Sequence, residues 1–144
     1  MAQKKIKHTK GITLLELLVS VAIVGILASV AYPSYIGYIV KSNRTEAQRE
    51  LVKLANLQEQ YFIDHRTYTT NMELLGMASD PYITASGNYS IDSIIESLEG
   101  VEGGTFTLTA TAKNSQASQD SSCVTLSIDE KGTKSAKSLT CWEN

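Results

Sequence analysis

The stretch from Lys10 to Tyr35, KGITLLELLVSVAIVGILASVAYPSY, decides how this chain is read. Residues 12–31 are apolar apart from Thr13, Glu16, Ser20 and Ser29. Twenty such residues in a helix span roughly 30 Å, the thickness of a bilayer's hydrocarbon core. Upstream lie Lys4, Lys5, Lys7 and Lys10 with no acid among them, which keeps that end cytoplasmic and sends the rest across the membrane. The whole chain of 144 residues carries a net charge of −2, with 13 basic and 15 acidic residues. Removing the four leader lysines leaves about −6 by the same count, so an extended phosphate-contacting surface is not expected. With 42% hydrophobic and 19% charged residues, the composition excludes a disordered or collagen-like chain, and the length suits one domain. The N-terminal third marks a membrane-inserted chain rather than a soluble cytosolic one.

Two processing routes fit the first thirty residues. A secretory signal peptide would end at Ser29-Val30-Ala31, a small-x-small site. Its apolar region would be longer than usual, and Pro33 would stand just past the cut. It would also carry Glu16 within the span, where an ionised carboxylate costs about 2.5–3.5 kcal/mol. Cleavage after Gly11 accounts for that acid. The new chain begins Ile12-Thr13-Leu14-Leu15-Glu16, with a free amine and a carboxylate five residues in. Opposite charges attract strongly at low dielectric, and pairing between staggered subunits would set their register.

These residues carry a family resemblance. Lys10-Gly11-Ile12-Thr13-Leu14-Leu15-Glu16, followed by the Gly25 and Pro33 interruptions, resembles the class III signal of type IV prepilins. The resemblance implies that a prepilin peptidase/N-methyltransferase cuts the Gly11–Ile12 bond and methylates Ile12. It also implies that Glu16 serves subunit assembly by pairing with a neighbour's N-terminus, and that Gly25 and Pro33 let the helix kink. Ile12 stands where the family usually has Phe, and Ser20 is a second departure.

Beyond the membrane the helical pattern continues. Ile36, Ile39, Val40, Ala47, Leu51, Leu54, Ala55, Tyr61 and Phe62 recur at three, four and seven, and Glu46/Arg49 and Glu50/Lys53 are opposite-charge pairs three apart. One helix over residues 12–62 would be roughly 75 Å long, natural for a filament subunit. Residues 63–88 read as a connection with a helical turn near Asn71–Leu75. Alternation then marks strands at 89–95, 105–112 and 124–128, with a turn at Asp129-Glu130-Lys131-Gly132 into a short fourth strand. The expected fold is α+β: a long N-terminal helix, half transmembrane and half amphipathic, on a small antiparallel sheet of about four strands. Residues 1–11 form the cleaved leader, 12–33 the transmembrane and filament-core helix, and 34–144 the periplasmic head. The polar loop 113–122 reads as mobile surface.

Cys123 and Cys141 match no zinc or CxxC spacing, and in an exported domain they are expected to form a disulfide rather than remain free thiols. The carboxyl-terminal pattern, Cys123-x-x-Leu126-x-Ile128-x-x-x-Gly132 with Cys141-Trp142, is similar to PilE-like minor pilins of the type IVa group.

No enzyme is expected. His8 lies in the leader, and His65 stands between Asp64 and Arg66 without partners for a triad. Gly103-Gly104 is a turn, and Asp120, Asp129 and Glu130 lack the alternating spacing of a calcium loop. No cofactor is expected. The resemblance implies a structural subunit of a type IV pilus, a minor pilin that helps initiate assembly in support of twitching motility, adhesion or DNA uptake. Its partners would be the peptidase, other major and minor pilins, the inner-membrane assembly platform and inner-membrane lipid. Its location would be the bacterial inner membrane, single pass with a periplasmic head, and then the extracellular fimbrium. The alternatives are a major pilin, a type II secretion pseudopilin, a tip subunit that binds DNA or a surface through Lys131, Lys134 and Lys137, or an unrelated periplasmic protein starting near Tyr32.

Overall fold

The structure, a computed structural model, describes residues 11–100 and 102–143. The leader residues Lys4, Lys5, Lys7, His8 and Lys10 lie outside the described residues. Two compact units divide the chain, one ending at Gly37 and the other beginning at Tyr38. Helix α1 (Leu14–His65) runs through both. It starts where the Thr13 hydroxyl oxygen accepts the Glu16 N–H at 3.2 Å, which satisfies one of the free donors of the first turn. It continues through Pro33, which supplies no N–H to the ladder.

The second unit has a single core. α1 contributes Val40, Ala47, Leu51 and Leu54, spaced at three, four and seven so that they form one stripe. Against it packs an antiparallel meander of β1 (Tyr82–Ile83), β2 (Tyr89–Glu96), β3 (Thr105–Ala112), β4 (Thr125–Asp129) and β5 (Lys134–Ala136), in that spatial order. In β3 the side chains of Phe106, Leu108, Ala110 and Ala112 are buried, while the threonines between them are half-buried or exposed. Leu108 lies opposite Ser93 on one side and Ile128 on the other, so the inward faces of three strands coincide. Full burial of a side chain such as Leu51 or Leu108 contributes about 1.5–3 kcal/mol. Both sheet edges are short, two residues in β1 and three in β5.

Three features differ from the sequence expectation. The sheet has five strands rather than about four, because Tyr82 and Ile83 pair with Ile91 and Ser90. The loop 113–122, read as mobile surface, holds a helix, α2 (Asn114–Gln119), whose Gln116 is only 2% exposed. The Glu46/Arg49 pair does not form: Glu46 accepts the Ser86 N–H at 3.2 Å, while Glu50 and Lys53 do pair at 3.3 Å. A backbone donor with no other partner is a better acceptor's target than a solvated guanidinium. The helical turn appears as a 3-10 segment, Met72–Leu75, capped by the Asn71 side chain and closed by Gly76 at φ 80°. At the β2–β3 turn, Gly103 (φ 79°) leaves no room for a side chain, since a Cβ there would collide with the Phe62 ring and come within 2.8 Å of the Arg66 carbonyl oxygen.

Candidate functional site

In the first unit every described residue from Gly11 to Tyr35 is exposed, including Leu14, Leu18, Ile23, Leu27 and Val30. An 18-residue window of this helix has mean hydropathy 2.5, long and apolar enough to cross a membrane. A bare apolar face of that extent requires lipid or protein around it. Gly11, Ile12 and Thr13 precede the helix, carry no regular secondary structure and are exposed, so the bond after Gly11 is open to solvent. Glu16 sits one turn in, exposed among leucines, and its carboxylate has no partner among the described residues. The Ser20 hydroxyl donates to the Glu16 carbonyl at 2.8 Å and that of Ser29 to the Ile26 carbonyl at 2.7 Å, so both serines satisfy themselves within the helix. Gly25 meets nothing within 4 Å of where a Cβ would stand, leaving space on that side of the helix.

In the second unit the Cys123–Cys141 disulfide joins the segment before β4 to the chain's last turn, with Cα atoms 5.5 Å apart. Polar groups from α1 hold it. Arg44 Nη1 donates to Cys123 Sγ at 2.8 Å and its Nε lies 3.5 Å from Asp120; Gln48 Nε2 donates to the Cys141 carbonyl at 2.7 Å. Gln116 is the hub between α2 and α1: its Oε1 accepts from Asn43 at 3.1 Å, and its Nε2 is shared by the Val40 carbonyl, the Tyr89 hydroxyl and Asp120. Burial pushes the Tyr89 phenol above its ordinary value despite the bond from Gln116. Farther along, Gln58 donates to the Thr69 carbonyl and accepts the Thr69 N–H at 3.0 Å, clamping the connection after α1.

None of Arg44, Gln48, Gln58 or Gln116 was singled out from the sequence, and Asp120 was weighed there only as a calcium ligand. Arg44 and Gln58 fall on the stripe Val40–Arg44–Ala47–Leu51–Leu54–Gln58, so a polar residue on an apolar stripe was the signal. Gln116 has no such signal.

The remaining candidates are placed as follows. His65 stacks on Tyr61 at 3.9 Å and its Nδ1 meets the Tyr61 carbonyl at 3.0 Å, closing the helix end. Asp120 is taken by Arg44 and Gln116, and Asp129 accepts the Thr133 and Lys131 amides at 2.7 and 3.0 Å. Burial works against the Asp129 carboxylate, but those amides prevail and hold it below the usual carboxylate range. Lys131 pairs with Glu130 at 3.6 Å, Lys134 stands 5.2 Å over the Trp142 ring, and Lys137 is exposed. The structure therefore separates the three lysines into one paired and two free of carboxylates among the described residues. Tyr68 bridges Phe62 and Phe106, each at 4.8 Å, and its hydroxyl donates to Glu59; burial, then that carboxylate, push its phenol up to about 12.

Comparison with known proteins agrees with this architecture. Residues 33–127 match a family model described as type IV minor pilin ComP, DNA uptake sequence receptor, and residues 6–32 match the prokaryotic N-terminal methylation motif. The fimbrial protein EcpC of Eikenella corrodens is 31% identical over 134 residues, 93% of this chain and 80% of that protein. The type IV wide pilus major component PilA4 of Thermus thermophilus is 35% identical over 112 residues, 73% of this chain and 83% of that protein. The type II secretion system core protein G of Vibrio cholerae is 34% identical over 96 residues, 66% of each chain. A bare apolar helix behind a methylation motif, joined to a disulfide-closed α+β head, makes this chain a member of the type IV pilin family, whose members are structural subunits.

Proposed function

We propose that this chain is a minor subunit of a type IV pilus, held in the inner membrane as a prepilin and then built into the fibre. The match over residues 33–127 to a minor-pilin family carries this reading. Residues 1–11 serve as the leader, 12–33 as the membrane and filament-core helix, and 34–144 as the periplasmic head. A prepilin peptidase cuts the Gly11–Ile12 bond, which lies exposed ahead of α1, and methylates Ile12. The unpartnered Glu16 then takes the exposed amine of an adjoining subunit, because a carboxylate kept in oil is stabilised only by an opposite charge. Gly25 and Pro33 relax the helix as it passes from lipid to fibre.

Intact mass of the mature protein tests the processing steps together, reporting the cut after Gly11, one methyl group and the disulfide. A product starting near Tyr32 would exclude pilin processing. Quantifying the chain in sheared fibres tests the minor role, since a major pilin must outnumber every other subunit.

A second reading, DNA contact by the head, is favoured by the receptor description of the matched family and by Lys134 over Trp142, a cation and a ring that suit phosphate and base. Replacing Lys131, Lys134 and Lys137 with alanine should abolish DNA uptake while fibres persist. Uptake unchanged in that variant removes this reading.

A further inference from the structure

In the head, one side of α1 presents a row of exposed or half-buried side chains: Tyr38, Lys41, Thr45, Arg49 and Val52. They line two adjoining grooves of ≈ 340 and ≈ 420 Å³, which share Thr45 and Arg49, and the second is closed by Lys134 of β5 and by Trp142. The grooves are basic and partly apolar. Neither Lys41 nor Arg49 has a carboxylate within ion-pair distance among the described residues, because Glu46 is turned to Ser86 and Asp120 to Arg44. At the other end of the same unit stands the β2–β3 turn, held against the last turn of α1 where Gly103 abuts Phe62 and Arg66. Residues 89–104 contain Asp92, Glu96, Glu99 and Glu102 and no lysine or arginine. Glu96, Glu99 and Glu102 are exposed, and the tip also leaves Ile94 and Leu98 exposed, at 61% and 50%. An acidic knob with an aliphatic centre and a basic groove with an apolar floor thus lie at different ends of the α1 segment in one head.

We propose that the groove of Tyr38, Lys41, Thr45, Arg49 and Val52 is the docking site for the β2–β3 tip of a second copy of this chain. Glu96 and Glu99 meet Lys41 and Arg49, and Leu98 lies on Val52. The two surfaces differ and lie about 15 to 30 Å apart along α1, counted from Val52 and from Lys41 to Phe62 at about 1.5 Å per residue. A contact of this kind is heterologous: each head that fills its neighbour's groove leaves its own groove open, so copies held together in the membrane meet head to tail and not as a symmetric pair. Exposed ion pairs are individually weak and salt-sensitive, which suits heads whose firm attachment comes from their helices. The inference goes beyond the subunit role and rests only on membership of the family; its failure would leave the intact-mass result untouched.

Zero-length carbodiimide coupling of the full-length chain in membranes tests it, because the reagent joins a lysine amine to a carboxylate only where they touch. Wild-type protein should give a dimer whose linked peptides contain Lys41 with Glu96 or Glu99, and the yield should fall at high salt. A groove variant, Lys41→Glu with Arg49→Glu, and a tip variant, Glu96→Lys with Glu99→Lys, should each lose dimer by about tenfold alone. Mixed together, differently tagged, they should recover it, since the acidic tip of one fits the basic groove of the other and the reversed pair fits as well. Formation of the Cys123–Cys141 disulfide in both variants reports folding. Dimer retained by either variant alone, no recovery on mixing, linkage of Lys41 to a different pilin, or loss of the Lys41 linkage on adding duplex DNA would each overturn the proposal.

Discussion

Gln116 shows how much one side chain decides in this head. Its amide satisfies Asn43, the Val40 carbonyl, the Tyr89 hydroxyl and Asp120 at once. Replacement by leucine keeps the volume and strips every bond, leaving buried polar groups without partners. The expected loss is about 1–3 kcal/mol, read from denaturant unfolding of the detergent-solubilised chain; a change within a few tenths would show that the amide is dispensable. Tyr68 gives a pH signature. Its phenol ionises near 10 when unfolded and at about 12 in the folded head, so the unfolded state loses its proton first. This group's contribution is complete below pH 10 and is lost as pH climbs toward 12. Tyr68→Phe should therefore flatten the alkaline limb of the stability curve with little change at neutral pH, as followed by thermal unfolding between pH 8 and 12.

At the scale of elements, the disulfide takes the place of core that a small head lacks. Cys123 and Cys141 are 18 residues apart, and closing a loop of that length is worth about 3 kcal/mol. The double variant Cys123→Ala, Cys141→Ala should lower unfolding free energy by about that amount and free the tail to proteolysis after Ala136; equal protease resistance would show that Gln48 and Trp142 hold the tail unaided. The elements legible in the sequence were those with a strict period. Alternating threonine and apolar residues placed β3 at 105–112 to the residue, and the stripe through Ala47, Leu51 and Leu54 placed the covering helix. β1 was missed because two residues cannot show a period, and its pairing depends on Ile91 and Ser90 opposite. α2 was missed for a different reason: NSQASQ has no apolar face, and its anchor is an amide three of whose four partners lie 27 to 76 positions away. Gly11, Ile12 and Glu16, proposed for processing and assembly, stand out in the sequence as a motif, whereas the Arg44 and Gln48 contacts to the disulfide exist only once the chain has folded.

For the whole molecule, the largest fact is an exposed apolar helix whose Glu16 carboxylate has no partner among the described residues. Glu16→Ala removes an acid that costs about 2.5–3.5 kcal/mol in hydrocarbon, so insertion into the membrane should be unchanged or improved. Incorporation into fibres should fall, because the neighbouring amine loses its counter-charge. Comparing the variant's ratio of sheared-fibre to membrane protein with wild type measures this, and an unchanged ratio would sink the pairing. The brevity of the outer strands has its own bearing on polymer life. With two residues in β1 and three, led by a lysine, in β5, neither border of the sheet offers enough free amide and carbonyl groups to recruit another chain. Heads crowded shoulder to shoulder on a fibre are thereby guarded against cross-β accretion, and growth is confined to the ordered route.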